Sequence, residues 1–119
     1  MKIACLGGGP AGLYFAISLK LRQSEHDIHV FERNQRGDTF GWGVVFSDQT
    51  MDYLRANDEK STQEILAEFA HWDDIDISFQ DDVITSGGHG FCGISRQRLL
   101  DILASRAEEL GVQLHFDSD

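Results

Sequence analysis

The sequence predicts an α/β fold in which a parallel sheet is accompanied by a small antiparallel hairpin. An apolar run at the N-terminus leads through a glycine-rich turn, "GGGPAG", into a helical pattern. A second apolar run, "IHVFE", follows that helix, and "IDISFQDDVITS" alternates as paired strands do. With 119 residues, of which 41% are hydrophobic, the chain has room for one domain with a packed core.

The first third of the chain predicts a strand, a helix and a second strand. Residues 2–7, "KIACLG", form a short apolar run that is typical of a buried strand. Residues 10–22 are apolar on nearly every face as far as Lys20, which favours a buried helix. Residues 28–32, "IHVFE", predict the second strand. This order predicts a βαβ-type unit with parallel strands.

The middle of the chain predicts a loop, two helices and the hairpin. Residues 39–48, "TFGWGVVFSD", are apolar but broken by glycine, and we expect a loop there, followed by a helix in "DQTMDYLRAND". Ser61 and Glu64 have the spacing of a capping box, so the next helix should begin near Thr62. Residues 75–86 predict a half-exposed antiparallel hairpin that turns at residues 81–82.

The last third predicts strand, helix, strand. "FCGIS" is a short apolar run, and "RQRLLDILASRAEELG" places leucines and an alanine on one helical face. Gly111 follows that helix as its expected C-terminal stop. "VQLHF" begins a final strand.

The charge distribution argues against two classes of partner. The formal net charge is −10; residues 1–36 carry five basic and three acidic residues, and residues 37–119 carry five and seventeen. An acidic surface disfavours nucleic acid and anionic membranes, and no stretch approaches the ~18 apolar residues of a membrane span. Two cysteines, Cys5 and Cys92, are too few for a disulfide scaffold, so we expect a reducing compartment, the cytoplasm.

The glycine run has the spacing of a dinucleotide-binding fingerprint, Gly7-x-Gly9-x-x-Gly12, between a predicted strand and helix. Gly7 permits a tight turn, Gly9 lets a pyrophosphate approach the backbone, and Gly12 lets the helix pack close to the strand. The helix N-terminus, which includes Pro10 and Ala11, offers N–H groups and a partial positive charge to the phosphates.

An acidic residue stands where this Rossmann-like fingerprint requires one. Glu32 ends the second strand, 20 residues after Gly12, and is predicted to accept hydrogen bonds from both ribose hydroxyls. It would repel the 2′-phosphate of NADP, although Arg33 beside it is a residue type that NADP sites use. NAD and FAD both contain ADP, so the fingerprint leaves open an NAD-dependent dehydrogenase, a flavoenzyme and a non-catalytic dinucleotide-binding module.

No metal site is predicted. His26 and His29 straddle a turn and a strand, and the other three histidines show no ligand spacing with each other or with the cysteines. The acidic run "DDID" lacks the glycine-kinked loop of a calcium site and is more typical of a solvated hairpin edge.

Several segments resemble a known superfamily. "IACLGGGPAGLYFAISLK", "GWGVVFSD" and "GGHGFCGISR" are similar to the N-terminal part of the flavin monooxygenases of the p-hydroxybenzoate hydroxylase superfamily, in particular the group acting on salicylyl-CoA and anthraniloyl-CoA. The specificity of the resemblance rests on the last two segments. It implies FAD as cofactor, NADH or NADPH as co-substrate, and hydroxylation of an aromatic small molecule carried as a CoA thioester.

The resemblance also implies further site residues. In that superfamily the loop after the second strand passes beside the flavin ring, which would place Gly43, Val44 and Val45 near the ring, with Trp42 close by. Small and apolar residues there suit a flat ring and keep water out. Arg96 would reach the ribityl–phosphate region with its planar fork of donors. The resemblance assigns no catalytic acid, base or nucleophile in this stretch.

Relatives in this superfamily continue well beyond the segments seen here. Residues 1–119 are therefore expected to be the N-terminal portion of an FAD-binding domain, an N-terminal fragment of a larger flavoprotein fold whose substrate domain lies outside them. The last strand would belong to a parallel sheet, and an uncovered strand edge seeks a partner. We therefore expect the isolated segment to self-associate, to bind flavin weakly and to lack hydroxylase activity.

Overall fold

A computed structural model describes all 119 residues and confirms the α/β fold class, with parallel and antiparallel strand pairing. The chain forms two compact units, residues 1–42 with 95–119, and residues 43–94. Eight strands and four helices follow one another as β1 (Lys2–Leu6), α1 (Pro10–Arg22), β2 (Asp27–Phe31), β3 (Gly43–Ser47), α2 (Asp48–Asn57), α3 (Glu59–Ala67), β4 (Ala70–Trp72), β5 (Ile75–Phe79), β6 (Asp82–Ser86), β7 (Phe91–Ser95), α4 (Arg96–Glu109) and β8 (Gln113–His115).

The first unit holds a parallel three-stranded sheet in the order β1-β2-β8. Helices α1 and α4 pack against each other, and alternate residues of β2, Ile28 and Val30, are fully buried. Ala16 and Ile17 of α1 are inaccessible to solvent as well. The apolar faces predicted for the two helices therefore form the core of this unit.

Local sequence sets the ends of the two core helices. Proline stands at the first position of α1, where its fixed φ suits a helix start, and basic side chains occupy the last turn, near the negative end of the helix dipole. The predicted bounds of this helix, residues 10–22, are confirmed. Ser95 caps α4 by accepting from the Arg98 N–H at 3.2 Å, and Gly111 follows the helix with a φ of +91°, as expected for a glycine stop.

The second unit contains the sheet β3-β7-β4, the hairpin β5-β6 and helices α2 and α3. The hairpin was predicted correctly, but its two-residue turn lies at residues 80–81 and not at 81–82, because Asp82 already pairs with Phe79 and Gln80 takes the positive φ of 57°. It was predicted to be half-exposed, and this was wrong: every residue of β5 and all but the last residue of β6 are exposed.

No helix in the chain combines the length and the apolarity that a bilayer span requires.

Two further expectations for the second unit were wrong. Residues 43–47 form a strand rather than a loop, because they pair with β7 while Val44 and Phe46 turn away from solvent. The following helix, α3, begins at Glu59 and not near residue 62. Its N-cap is Asp58, whose carboxylate accepts from the Ser61 N–H at 3.4 Å, so the predicted capping serine lies inside the helix.

Candidate functional site

The turn between β1 and α1 needs glycine at two positions for different reasons. Gly7 has a φ of +107°, a conformation that other residues rarely adopt, and its N–H donates to the Phe31 carbonyl at 2.8 Å. A Cβ on Gly12 would lie 2.0 Å from the Gly7 carbonyl oxygen. The turn therefore joins the ends of β1 and β2 and brings the helix into backbone contact with the strand.

The space in front of the α1 N-terminus is open. Gly9 is the N-cap, and a Cβ placed there would meet no atom within 4 Å. The first intrahelical bond runs from the Leu13 N–H to the Gly9 carbonyl at 3.0 Å, so the N–H groups of Gly9, Ala11 and Gly12 have no intrahelical partner, and no side chain caps them. Pro10 contributes no N–H. This helix end can accept an anionic group.

The Glu32 carboxylate is held at the end of β2 by three N–H donors. Oε2 accepts from the Gly8 N–H at 2.8 Å, and Oε1 accepts from the Asn34 N–H and the Asn34 side-chain amide, both at 2.9 Å. These hydrogen bonds, the one from the Asn34 N–H first, lower the pKa of Glu32, and the charge of Arg33 lowers it further. A carboxylate has about four acceptor positions, so one remains, on Oε2, for a ligand hydroxyl.

Gly8 is a residue of this site that the sequence interpretation missed. A Cβ on Gly8 would lie 2.9 Å from the Glu32 Cβ, so a side chain here would push the carboxylate away from the turn. The available signal was the middle glycine of the "GGG" run, at a position that the fingerprint leaves open to any residue.

The lowered pKa of Glu32 predicts how stability depends on pH. The unfolded state, with a pKa of about 4.3, binds the proton more readily than the folded state, so ionised Glu32 stabilises the fold above that pH. This contribution is lost as the pH falls through the lower folded pKa. Urea unfolding between about pH 6 and pH 3 should therefore show a steeper loss of stability in the wild type than in Glu32→Gln. Parallel curves would contradict the hydrogen-bonded carboxylate.

A cleft, called here the glycine-turn cleft, is lined by Gly9, Glu32, residues 34–40, Phe116 and the first turns of α4 with Arg96. The Arg96 N–H donates to the Trp42 carbonyl at 3.3 Å, which ties α4 to the end of the preceding loop. The Arg36 guanidinium forms a two-fold ion pair with Glu108 and lies 5.5 Å from the centre of the Phe116 ring.

Two polar atoms in the glycine-turn cleft are buried without a hydrogen-bond partner, Arg96 Nε and Thr39 Oγ1. Buried polar groups are normally paired, so two of them in one cleft fit a ligand that carries polar oxygens. Thr39 is a second residue that the sequence interpretation missed, because a single hydroxyl in an apolar stretch does not indicate a binding site.

Of the predicted site residues, Gly9, Glu32 and Arg96 line the glycine-turn cleft, and Gly7 and Gly12 lie in the turn that precedes and begins α1. Whether they bind a cofactor stays a prediction. Pro10 and Ala11 stand at the same open helix end, and the remaining predicted positions lie outside this cleft. Arg33 and Ala11 are exposed at the surface, and Trp42 exposes 97% of its side chain. Gly43 and Val44 belong to β3 of the second unit. Their roles beside a cofactor stay predictions.

Comparison with known proteins agrees with the resemblance. No protein-family model matches the chain. Over all 119 residues the chain is 42% identical to salicyloyl-CoA 5-hydroxylase from Streptomyces sp, of which it spans 23%. The predicted resemblance is confirmed. The chain is also 30% identical over 125 residues to protodeoxyviolaceinate monooxygenase from Chromobacterium violaceum, of which it spans 32%.

Solved structures share the fold of the chain. A tetrameric form of 2-methyl-3-hydroxypyridine-5-carboxylic acid oxygenase superposes on 99% of the chain with a TM-score of 0.84 at 24% identity, and 32% of that protein is covered. The structure of CtdE in complex with FAD superposes on the whole chain with a TM-score of 0.72 at 19% identity, covering 30% of that protein. The chain thus spans 23–32% of the length of these relatives.

Proposed function

We propose that this chain forms the FAD-binding part of a cytoplasmic flavin-dependent monooxygenase. The enzyme would hydroxylate an aromatic substrate carried as a CoA thioester, with O2 and NADH or NADPH as co-substrates. The glycine-turn cleft supports a dinucleotide in general. The observation that carries the choice of a monooxygenase is the 42% identity with salicyloyl-CoA 5-hydroxylase over all 119 residues.

The residues of the cleft fit the adenosine and pyrophosphate portion of FAD. The open space at Gly9 leaves room for the pyrophosphate against the N–H groups of the first turn of α1. The ionised Glu32 offers its remaining acceptor position to one ribose hydroxyl, not to two as the sequence alone predicted, because three protein donors occupy the others.

The polar atoms on the α4 side of the cleft complete the fit. Arg96 brings a positive charge and a buried, unpaired Nε to a site for a phosphate or ribityl oxygen, and the Thr39 hydroxyl can pair with a second oxygen. Bound FAD would supply the redox chemistry and the activation of oxygen, while the chain binds and orients it.

The proposal is tested by the ligand that the full-length enzyme containing this chain binds, because the chain spans only 23% of salicyloyl-CoA 5-hydroxylase. We expect the purified protein, or its apo form titrated with FAD, to show flavin absorbance bands and to bind FAD more tightly than NAD. NADH consumption should then increase when an aryl-CoA is added. Tight NAD binding without flavin would point to a dehydrogenase, and FAD binding without turnover of any aromatic thioester would point to a non-catalytic module; either result would overturn the proposal.

The role of Glu32 in binding gives a separate prediction. Glu32→Gln should weaken FAD binding by roughly 1.5–3 kcal/mol, about ten- to a hundredfold in Kd, the range for a hydrogen bond to a charged group. Titration calorimetry with apo protein measures it. Glu64→Gln, an exposed position on α3, is the matched control and should bind as the wild type does. An unchanged Kd for Glu32→Gln would remove Glu32 from the ribose site.

A further inference from the structure

Three side chains that are distant in sequence meet in the second unit: Asp48, His71 and Cys92. Asp48 is the first residue of α2, while His71 of β4 and Cys92 of β7 face each other in the antiparallel register. Directly opposite residues of paired strands project from the same face of a sheet. The imidazole, the thiol and the carboxylate therefore converge on one side of β4 and β7.

The distances between their polar atoms are those of ligands around a single small ion. His71 Nε2 lies 3.4 Å from Asp48 Oδ1, and Cys92 Sγ lies 3.8 Å from the same oxygen. All three ligand atoms lie within 4.8 Å of one another. Metal–ligand bonds of about 2.0–2.3 Å in a tetrahedral zinc site separate neighbouring ligand atoms by about 3.3–3.8 Å. Little movement would be needed to close the three atoms around an ion.

The backbone holds the carboxylate in place. The Asp48 N–H donates to the Gly90 carbonyl at 3.1 Å, and a Cβ on Gly90 would lie 2.0 Å from Asp48 Oδ2. The absence of a side chain at Gly90 is what gives the carboxylate its room. An acidic residue in the first turn stabilises α2 through the helix dipole. That stabilisation would not require the Asp48 carboxylate to lie next to an imidazole and a buried thiol.

We propose that Asp48, His71 and Cys92 form a binding site for a divalent metal ion of the zinc class. Thiolate, imidazole and carboxylate together suit a borderline-soft ion such as Zn²⁺, whereas Ca²⁺ and Mg²⁺ take oxygen ligands. The thiolate and the carboxylate balance the two positive charges, and Asp73 Oδ1, 4.0 Å from His71 Nε2, adds further negative charge beside the site. The fourth position is left to water, because Asp48 and His71 are exposed to solvent.

Binding involves a defined change in protonation. Burial and the Asp48 carboxylate raise the pKa of the Cys92 thiol, so the free site holds a thiol whose proton is released to solvent when the metal–sulfur bond forms. The site lies outside the glycine-turn cleft and does not depend on the proposed function.

Cobalt titration of the reduced full chain tests the proposal. We expect Co²⁺ to produce a thiolate-to-cobalt charge-transfer band in the near ultraviolet, which one equivalent of Zn²⁺ removes. Cys92→Ser should lose the band, and His71→Gln and Asp48→Asn should each weaken binding at least about tenfold. The matched controls Cys5→Ser and His26→Gln, both in the first unit, should bind as the wild type does. Zn²⁺ should also raise the Tm of the wild type but not of Cys92→Ser.

Two results would overturn the proposal: a wild type with neither a cobalt–thiolate band nor a Zn²⁺-dependent rise in Tm, or a band that persists unchanged in Cys92→Ser. Circular dichroism shows whether each variant is folded. If the buried Cys92→Ser variant fails to fold, the Asp48→Asn and His71→Gln variants, both at exposed positions, decide, and unchanged cobalt affinity in both would refute the site.

Discussion

Gly12→Ala is expected to reduce the free energy of unfolding by at least about 2–3 kcal/mol, the upper part of the range for overpacked sites. Its Cβ would lie 2.0 Å from the Gly7 carbonyl oxygen, and 3.2 Å from the carbonyl carbon. Both atoms are backbone, so no side-chain rotation can relieve the contact. The turn would have to shift and with it the hydrogen bond from Gly7 to Phe31. Urea unfolding of the full chain measures the loss.

Gly9→Ala is the matched control, three residues earlier at the same helix end. Its Cβ would meet no atom within 4 Å, and φ is −76°, which any residue adopts. We expect its unfolding free energy to change by less than about 1 kcal/mol, because the lower entropy of the unfolded chain favours alanine whereas the N-cap position favours glycine. Equal stability of the two alanine variants would show that helix and turn are not in backbone contact.

Gly9→Val is expected to abolish dinucleotide binding, with at least about a hundredfold loss of FAD affinity, or ~2.7 kcal/mol. The valine side chain would point into the open space that the proposed pyrophosphate occupies. Because no protein atom lies there, the apo fold should keep its stability. This separates the variant from Gly12→Ala, which fails through folding. Fluorescence titration with FAD, beside urea unfolding of the same preparation, gives both quantities.

The control for this variant adds the same side chain where no ligand is expected. Ser105→Val lies on the exposed side of α4 and should bind FAD as the wild type does. Undiminished FAD binding by Gly9→Val would mean that the phosphates do not lie against the N-terminus of α1.

Sequence reasoning was most accurate where local rules decide the structure. Helix α1 has a proline start and basic residues in its last turn, and α4 is followed by Gly111; such signals act within a few residues. It was less accurate where distant pairing decides. Residues 43–47 were expected to be a loop because glycines interrupt the segment. Their partner β7 lies about 50 residues later in the chain, and the sequence of residues 43–47 does not indicate that pairing.

The same distinction applies to the candidate sites. The glycine spacing and Glu32 are signals that can be read directly from the sequence, so Gly9 and Glu32 of the glycine-turn cleft were predicted, whereas residues 34–40 and Phe116, which also line it, were not. The contributions of Gly8 and Asn34 depend on where a carboxylate rests, which spacing does not encode. His71 and Cys92 have no ligand spacing in sequence, and they meet only because β4, which was not predicted, pairs with β7.

Strand β2 pairs with one strand that is close to it in sequence and with another that is far from it in sequence. On one side it pairs with β1, and on the other with β8, where the Glu32 N–H donates to the His115 carbonyl at 2.8 Å. During synthesis on the ribosome, β1, α1 and β2 emerge first and can form early, since their contacts are local. The second edge of β2 has to wait until residues 113–115 have left the exit tunnel. Until then the nascent chain presents an open parallel edge next to the glycine turn, which is a site where chaperones can bind.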